Sequence, residues 1–205
     1  MSRLFDLVSS LLGLLVLSPL LLVVAILVRL SSFGPVFYRP GRVGKDGKQF
    51  RLYKFRTMIP GASAVGPRLT TRDDPRVTAF GSWLRATKLD ELPQLINVVL
   101  GDMSLVGPRP EDPRYVARYP AEYVGILSVR PGITSPASLR FRHEEQLLPA
   151  GDPEPVYLID VLPLKLAMEL EYQERRSFWS DLVVLWETLV ALARGSRYSR
   201  SGGMR

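Results

Sequence analysis

Two adjacent carboxylates, Asp90 and Glu91, open a segment in which Leu92, Leu95, Ile96, Val99 and Leu100 recur at helical spacing up to Gly101. Asp90 is suited to cap that helix and Pro93 to fit its first turn, which sets both carboxylates at the positive end of the helix dipole. Acidic residues at a helix start are ordinary caps contributing about 0.5–2 kcal/mol, and alone they say little. The cations around them say more. Lys54 and Arg56 share one face of an extended run by period two, which on its own reads as a solvated basic face. Gly107-Pro108-Arg109-Pro110 is a rigid turn that fixes an arginine, and the planar arginine fork suits a phosphate. An ionised aspartate beside a basic face is what a magnesium ion and a phosphoanhydride require, so the parts of a phosphoryl-transfer site are present.

Composition leaves few other chemistries. The 205 residues include no cysteine and a single histidine, His143, so disulfides, thiol nucleophiles and Cys/His zinc sites are excluded and a Ser/His/Asp triad lacks parts. His143 lies in the charged stretch RFRHEE and is expected to be a surface or satisfied polar residue. The net charge of +7 is uneven: Arg29 to Lys88 holds thirteen Lys and Arg, Arg68 and Arg72 among them, against Asp46, Asp73 and Asp74. From Glu144 to Glu174 eight acids face Lys165 alone. That polarity favours anionic lipid headgroups or phosphorylated small molecules over nucleic acid. Gly41 to Gly47-Lys48 is one residue too long for a phosphate-binding G-x-x-x-x-G-K loop, and Gln49 stands where Ser or Thr belongs. Arg130, in another proline-glycine turn, ranks below Arg109.

The elements that must position these groups are legible in outline. Residues 7–28 carry no charge and as a helix would reach about 33 Å, enough for the hydrocarbon core. Ser18-Pro19 interrupts them: Pro19 leaves the Leu15 carbonyl without its donor, and Ser18 can return a hydroxyl one turn back. Cations on both flanks draw both ends to one side, which fits a hairpin within one leaflet as well as a kinked spanning helix. A β-hairpin is predicted over residues 35–58, and a helix from about Pro75 to Thr87 whose Val77, Phe80, Trp83 and Leu84 should be core. Near the end, Phe178, Leu182, Leu185, Trp186, Leu189 and Leu192 share a helical face, trailed by Arg194, Arg197 and Arg200; this is a core helix or one lying on the bilayer interface.

With Ser18-Pro19 in the anchor, YKFRTM at residues 53–58, LDELPQL at 89–95 and GDMSLVGPRP at 101–110 in that order, the chain resembles bacterial sugar transferases of the small monotopic phosphoglycosyl transferase family. The resemblance covers nearly the whole chain. It implies an α/β, mainly helical fold: a re-entrant membrane helix over residues 1–32 broken at Ser18-Pro19, then a catalytic domain over 33–205 with a small β-hairpin and amphipathic helices at the membrane interface. The implied reaction moves a sugar phosphate from a UDP-sugar to polyprenyl phosphate, typically undecaprenyl phosphate, releases UMP and starts surface glycan assembly such as exopolysaccharide. Asp90 would be the nucleophile, forming a covalent phosphosugar intermediate and touching Mg2+. Glu91 would complete the dyad as a metal-site partner or a base, while Lys54, Arg56 and Arg109 would neutralise the diphosphate. The implied site is the cytoplasmic face of the bacterial inner membrane, with lipids of one leaflet and no nucleic acid as partners, and the chain should be a minimal catalytic unit. After VRPGI the family pattern T-G-x-x-Q gives way to Thr134-Ser135-Pro136-Ala137-Ser138, which bears on sugar preference. Two other readings use the same residues: a membrane-anchored basic binding protein without catalysis, and a phosphohydrolase of lipid diphosphates.

Overall fold

A computed structural model describes residues 2–66, 69–71, 73–149 and 151–194; Arg68, Arg72, Arg197 and Arg200 lie outside the described residues. The chain begins with α1 (Arg3–Ser31), capped by the Ser2 hydroxyl and carrying Pro19 inside it. The Ser18 hydroxyl donates to the Leu15 carbonyl at 2.7 Å, so the acceptor orphaned by the proline is satisfied and helical structure continues through the interruption. No turn separates two helices at Ser18-Pro19; a change of direction there has to be a bend within one helix.

Four short strands follow: β1 (Phe37–Tyr38), β2 (Gly41–Val43), β3 (Gln49–Arg51) and β4 (Lys54–Phe55). β2 pairs antiparallel with β3 in the register Arg42 to Phe50, and β1 pairs antiparallel with β4, Tyr38 opposite Lys54. The expected hairpin is therefore present, split into two two-stranded pieces. Next come α2 (Ala62–Val65), α3 (Ala79–Thr87), α4 (Gln94–Leu100) and β5 (Ser104–Val106). After α5 (Pro113–Val116), β6 (Gly132–Thr134) lies parallel to β5, followed by α6 (Pro136–Arg140), α7 (Glu154–Val156), a π turn at Tyr157–Val161, α8 (Leu162–Glu174) and α9 (Phe178–Ala193). The architecture is mainly helical with small sheets, as the sequence indicates.

Both limbs of α1 are fastened to the rest of the protein. At its start, Arg3 donates to the Val98 and Val99 carbonyls at 2.6 and 2.9 Å, and buried Asp6 accepts from the Ser104 hydroxyl at 2.8 Å and the Leu105 amide at 3.2 Å. At its end, Val24 and Val28 pack with Phe55 and Leu84. Between them the helix stands clear, with Leu15 and Val16 71% and 73% exposed.

The α4 helix is phased differently from the apolar spacing of its sequence. Its most buried residues are Gln94, Asn97 and Val98, whereas Leu100 is exposed and Leu95 packs towards α1 at Gly13. Asn97 explains the phase. Its side-chain oxygen accepts from the Tyr53 amide at 2.8 Å, and its nitrogen donates to the Arg51 carbonyl at 2.8 Å and to Asp102 at 3.1 Å. A buried amide so bonded is more favourably placed inside than another leucine would be. In α3, which spans Ala79–Thr87 and not the longer stretch expected, Leu84 is core but Trp83 is 49% exposed and stacks on Phe80.

Replacing Asn97 by Leu strands the Tyr53 amide and the Arg51 carbonyl, and should lower stability by about 2–4 kcal/mol in denaturant titration of the detergent-solubilised protein. Asn97→Asp keeps the acceptor for Tyr53 but sets a buried carboxylate oxygen against the Arg51 carbonyl and Asp102, and should cost at least as much.

Candidate active site

Asp90 and Glu91 occupy a single 3-10 turn, Leu89–Glu91, between α3 and α4. This corrects the expectation that Asp90 caps a helix. Lys88, the residue before the turn, is left-handed at φ 58°, ψ 14° and closes α3, while α4 starts only at Gln94 with Pro93 in the capping position. Released from capping, Asp90 is 7% exposed, and its Oδ1 is buried with no hydrogen-bond partner among the described residues. Buried carboxylate oxygens without a donor are rare enough to require an explanation.

Glu91 is fully engaged. Lys54 Nζ donates to its Oε1 at 2.8 Å, Arg109 Nη2 donates to the same oxygen at 2.7 Å, and Arg109 Nη1 reaches Oε2 at 3.3 Å. Lys54 comes from β4 and Arg109 from the turn after β5, so one carboxylate joins two cations from distant parts of the chain. That turn is held in place by Gly107, whose amide donates to the Thr134 carbonyl, and by the Gly132 amide, which donates to the Pro108 carbonyl. The carboxylates and both cations line a cavity of about 1110 Å³.

The two acids are driven apart in proton affinity. Burial raises Asp90, helped by the Glu91 charge and opposed mainly by Lys54. Burial also works on Glu91, but Arg109 and Lys54 outweigh it and hold this carboxyl well below the usual range. Lys54 is lowered by burial and the Arg109 charge, against the pull of Glu91, and Arg109 is raised above all by Glu91. A glutamate held so acidic is a weak base; its geometry suits the positioning of Lys54 and Arg109. For a metal ion the free donor is Asp90. Magnesium commonly binds through one or two carboxylates together with substrate phosphates, so Asp90 fits such an ion, whereas Glu91 has both oxygens committed to cations.

Arg56 does not join this cluster. Period two puts it beside Lys54 in an ideal strand, but β4 ends at Phe55, and the Arg56 guanidinium donates to the Ser32 carbonyl at 2.7 Å and to the Val28 carbonyl at 3.3 Å. It closes the end of α1, and burial with the nearby Arg29 charge lowers its pKa. Arg130 donates to the Gly101 carbonyl at 3.0 Å, and half-buried His143 accepts from Arg142. Sequence reasoning missed Glu111, which follows the Arg109 turn and accepts from Tyr157 at 2.7 Å and from Lys165 at 3.3 Å; Lys165 also bridges to Glu144 at 3.0 Å. The signal for it was Lys165, a lone cation in an acidic stretch.

The model of the family described as bacterial sugar transferase matches residues 1–195. The chain belongs to that family. Among curated relatives of this bacterial sugar transferase, the undecaprenyl-phosphate glucose phosphotransferase of Komagataeibacter xylinus is 39% identical over 91% of the chain and 35% of the relative. The UDP-glucose:undecaprenyl-phosphate glucose-1-phosphate transferase of Escherichia coli (strain K12) is 37% identical over 92% of the chain and 39% of the relative. The exopolysaccharide production protein PSS of Rhizobium leguminosarum bv. phaseoli is 38% identical over 97% and 98% respectively. The chain thus spans well under half of the first two and nearly all of the third.

The opposed shifts of the dyad give this bacterial sugar transferase a paired stability signature. Asp90, raised in the fold, costs stability above its ordinary pKa of 3.8, so Asp90→Asn should melt higher than wild type at pH 7 and lose that advantage below about pH 4. Glu91, lowered in the fold, contributes stability above 4.5 that is lost as pH falls towards its native value, so Glu91→Gln should be less stable by about 1–3 kcal/mol at pH 7. Thermal melts across pH check both signs.

Proposed function

We propose that this chain transfers a sugar 1-phosphate from a UDP-sugar to polyprenyl phosphate, undecaprenyl phosphate being the carrier named for its relatives, and that it does so through an aspartyl phosphosugar intermediate. The observation that carries this reading is the buried Oδ1 of Asp90, without a hydrogen-bond partner among the described residues, next to the Glu91 that holds Lys54 and Arg109, at a cavity large enough for a nucleotide sugar. A nucleophile with no internal donor is ready to form a new bond. In the first step an Asp90 oxygen attacks the phosphorus that bears the sugar, and the bond to the bridging oxygen breaks, releasing UMP with the electron pair. In the second, an oxygen of the lipid phosphate attacks the same phosphorus and returns Asp90 as a carboxylate.

Lys54 and Arg109, oriented by Glu91, face the non-bridging oxygens and neutralise charge as it shifts to the leaving group, which is most of what phosphoryl transfer asks of a protein. Mg2+, held by Asp90 and the substrate diphosphate, would supply further charge neutralisation. Because the upward shift of Asp90 delays its ionisation, the acid limb of the pH-rate profile should lie above the ordinary aspartate value of 3.8.

The anchor supports the lipid half of the reading. α1 is long and apolar enough to cross a membrane, yet residues at both of its ends are bonded to one body while its middle is bare. A bent helix dipping into one leaflet satisfies both facts, with the domain at the cytoplasmic face of the inner membrane. Exposed Trp179 and Trp186 on α9, 74% and 66% accessible, are suited to the same interface, where tryptophan is favoured.

Incubation of the detergent-solubilised protein with Mg2+ and a panel of UDP-sugars, without acceptor, should release UMP and add one sugar phosphate to the intact mass of wild type and not of Asp90→Asn. An absent adduct with every donor, and no UMP when lipid is added, would sink the reading. Since the chain has no cysteine, Ser2→Cys and Ser32→Cys report topology cleanly. An impermeant maleimide should label both from the cytoplasmic side only; labelling from opposite sides would establish a spanning helix.

A further inference from the structure

Lys54 and Arg109 reach the cavity already paired with Glu91, so together with the two carboxylates of the dyad they leave no surplus positive charge for an incoming diphosphate. Arg85 and Lys88 are further cations lining the same cavity, and the charges of both act on Asp90; the backbone at Lys88 sets it apart. Lys88 lines the same cavity and adjoins the turn that carries Asp90. Its ammonium has no hydrogen bond or ion pair among the described residues, while its charge acts on Asp90, Glu91 and His143.

The backbone makes the choice of lysine conspicuous. Among the described residues, Asp46, Asp73 and Lys88 are the non-glycine residues with positive φ. Aspartate enters the left-handed region readily because its short side chain bonds locally. Lysine has no such compensation, and glycine or asparagine would end α3 at lower conformational cost. A lysine at a helix end can repay its place by donating to the last carbonyls, but the Lys88 ammonium makes no such bond here. The use of this side chain lies in the cavity.

We infer that Lys88 is a phosphate-binding residue of the active cavity, its ammonium donating to a phosphate oxygen of the substrate beside Asp90. This rests on the transferase reading of the same site. Two substrates carry the required chemistry: the nucleotide-sugar diphosphate and the lipid phosphate monoester.

The test uses Lys88→Gly, Lys88→Met and Lys88→Arg in the full-length protein. Glycine relieves the left-handed strain, so Lys88→Gly should melt no lower than wild type, and lost turnover cannot then be unfolding. Lys88→Gly and Lys88→Met should slow one half-reaction roughly tenfold or more, the effect of losing one charge-assisted bond, while Lys88→Arg keeps most of the rate. Slower single-turnover UMP release without lipid identifies the diphosphate as ligand; normal adduct formation with slow discharge by polyprenyl phosphate identifies the lipid phosphate. Wild-type rates for Lys88→Gly in both half-reactions would overturn the inference. So would a loss that disappears when the pH is raised to about 9, because Lys88 would then act only by keeping Asp90 ionised. Thermal upshift by inorganic pyrophosphate separates this inference from the transferase reading: if wild type turns over no donor but pyrophosphate still protects it better than Lys88→Met, the phosphate site stands and the transfer reaction falls.

Discussion

One carboxylate holding two half-buried cations is the constraint on which the rest of the molecule depends. Lys54 and Arg109 would repel each other at the distances seen here, and Glu91 turns that repulsion into a bonded triad. For the triad to form, β4, the turn after β5 and the turn between α3 and α4 must meet within a hydrogen bond of one another. The three apolar clusters do not by themselves fix that meeting, because packing is tolerant of small shifts that directional bonds are not. Asn97 supplies one directional tie, joining the chain just before Lys54 to the helix just after Glu91. The Gly107 and Gly132 amides supply the other, joining the Arg109 turn to the two ends of β6.

The same logic governs the anchor. A helix as apolar as α1 gives the domain almost no specific handle, so its orientation is set by its few polar residues. Arg3 and Asp6 fix one end and the Ser32 carbonyl, read by Arg56, fixes the other. Arg56 therefore acts at the end of α1, keeping that helix against β4, the strand that carries Lys54.

Much of this was legible locally, and what escaped was long-range. The Ser18 to Leu15 bond follows from rules spanning one helical turn, and the structure contains it. The grouping of Asp90, Glu91, Lys54 and Arg109 was an expectation of the family resemblance that their short motifs carry, since by charge alone Lys54 read as part of a solvated face. The phase of α4 did not, because the partners that make Asn97 a buried residue lie 44 and 46 positions away. Hydrophobic periodicity counts apolar side chains and is blind to such bonds. Arg56 stands apart from Lys54 for a related reason: period two holds only while a strand lasts, and this one ends a residue too soon. The Glu111, Tyr157 and Lys165 cluster joins residues more than forty positions apart, beyond any local rule.

Asp6 also imposes an order of events on the nascent chain. Its acceptors are satisfied by groups 98 and 99 positions downstream, and Arg3 waits for carbonyls 95 and 96 positions away. The start of α1 is thus completed by contacts of long sequence separation, which are slow to close. Until residues 98–105 are in place, Arg3 and Asp6 lack the groups that hold them against the domain. The polar end of α1 is therefore settled only once α4 and β5 are in place.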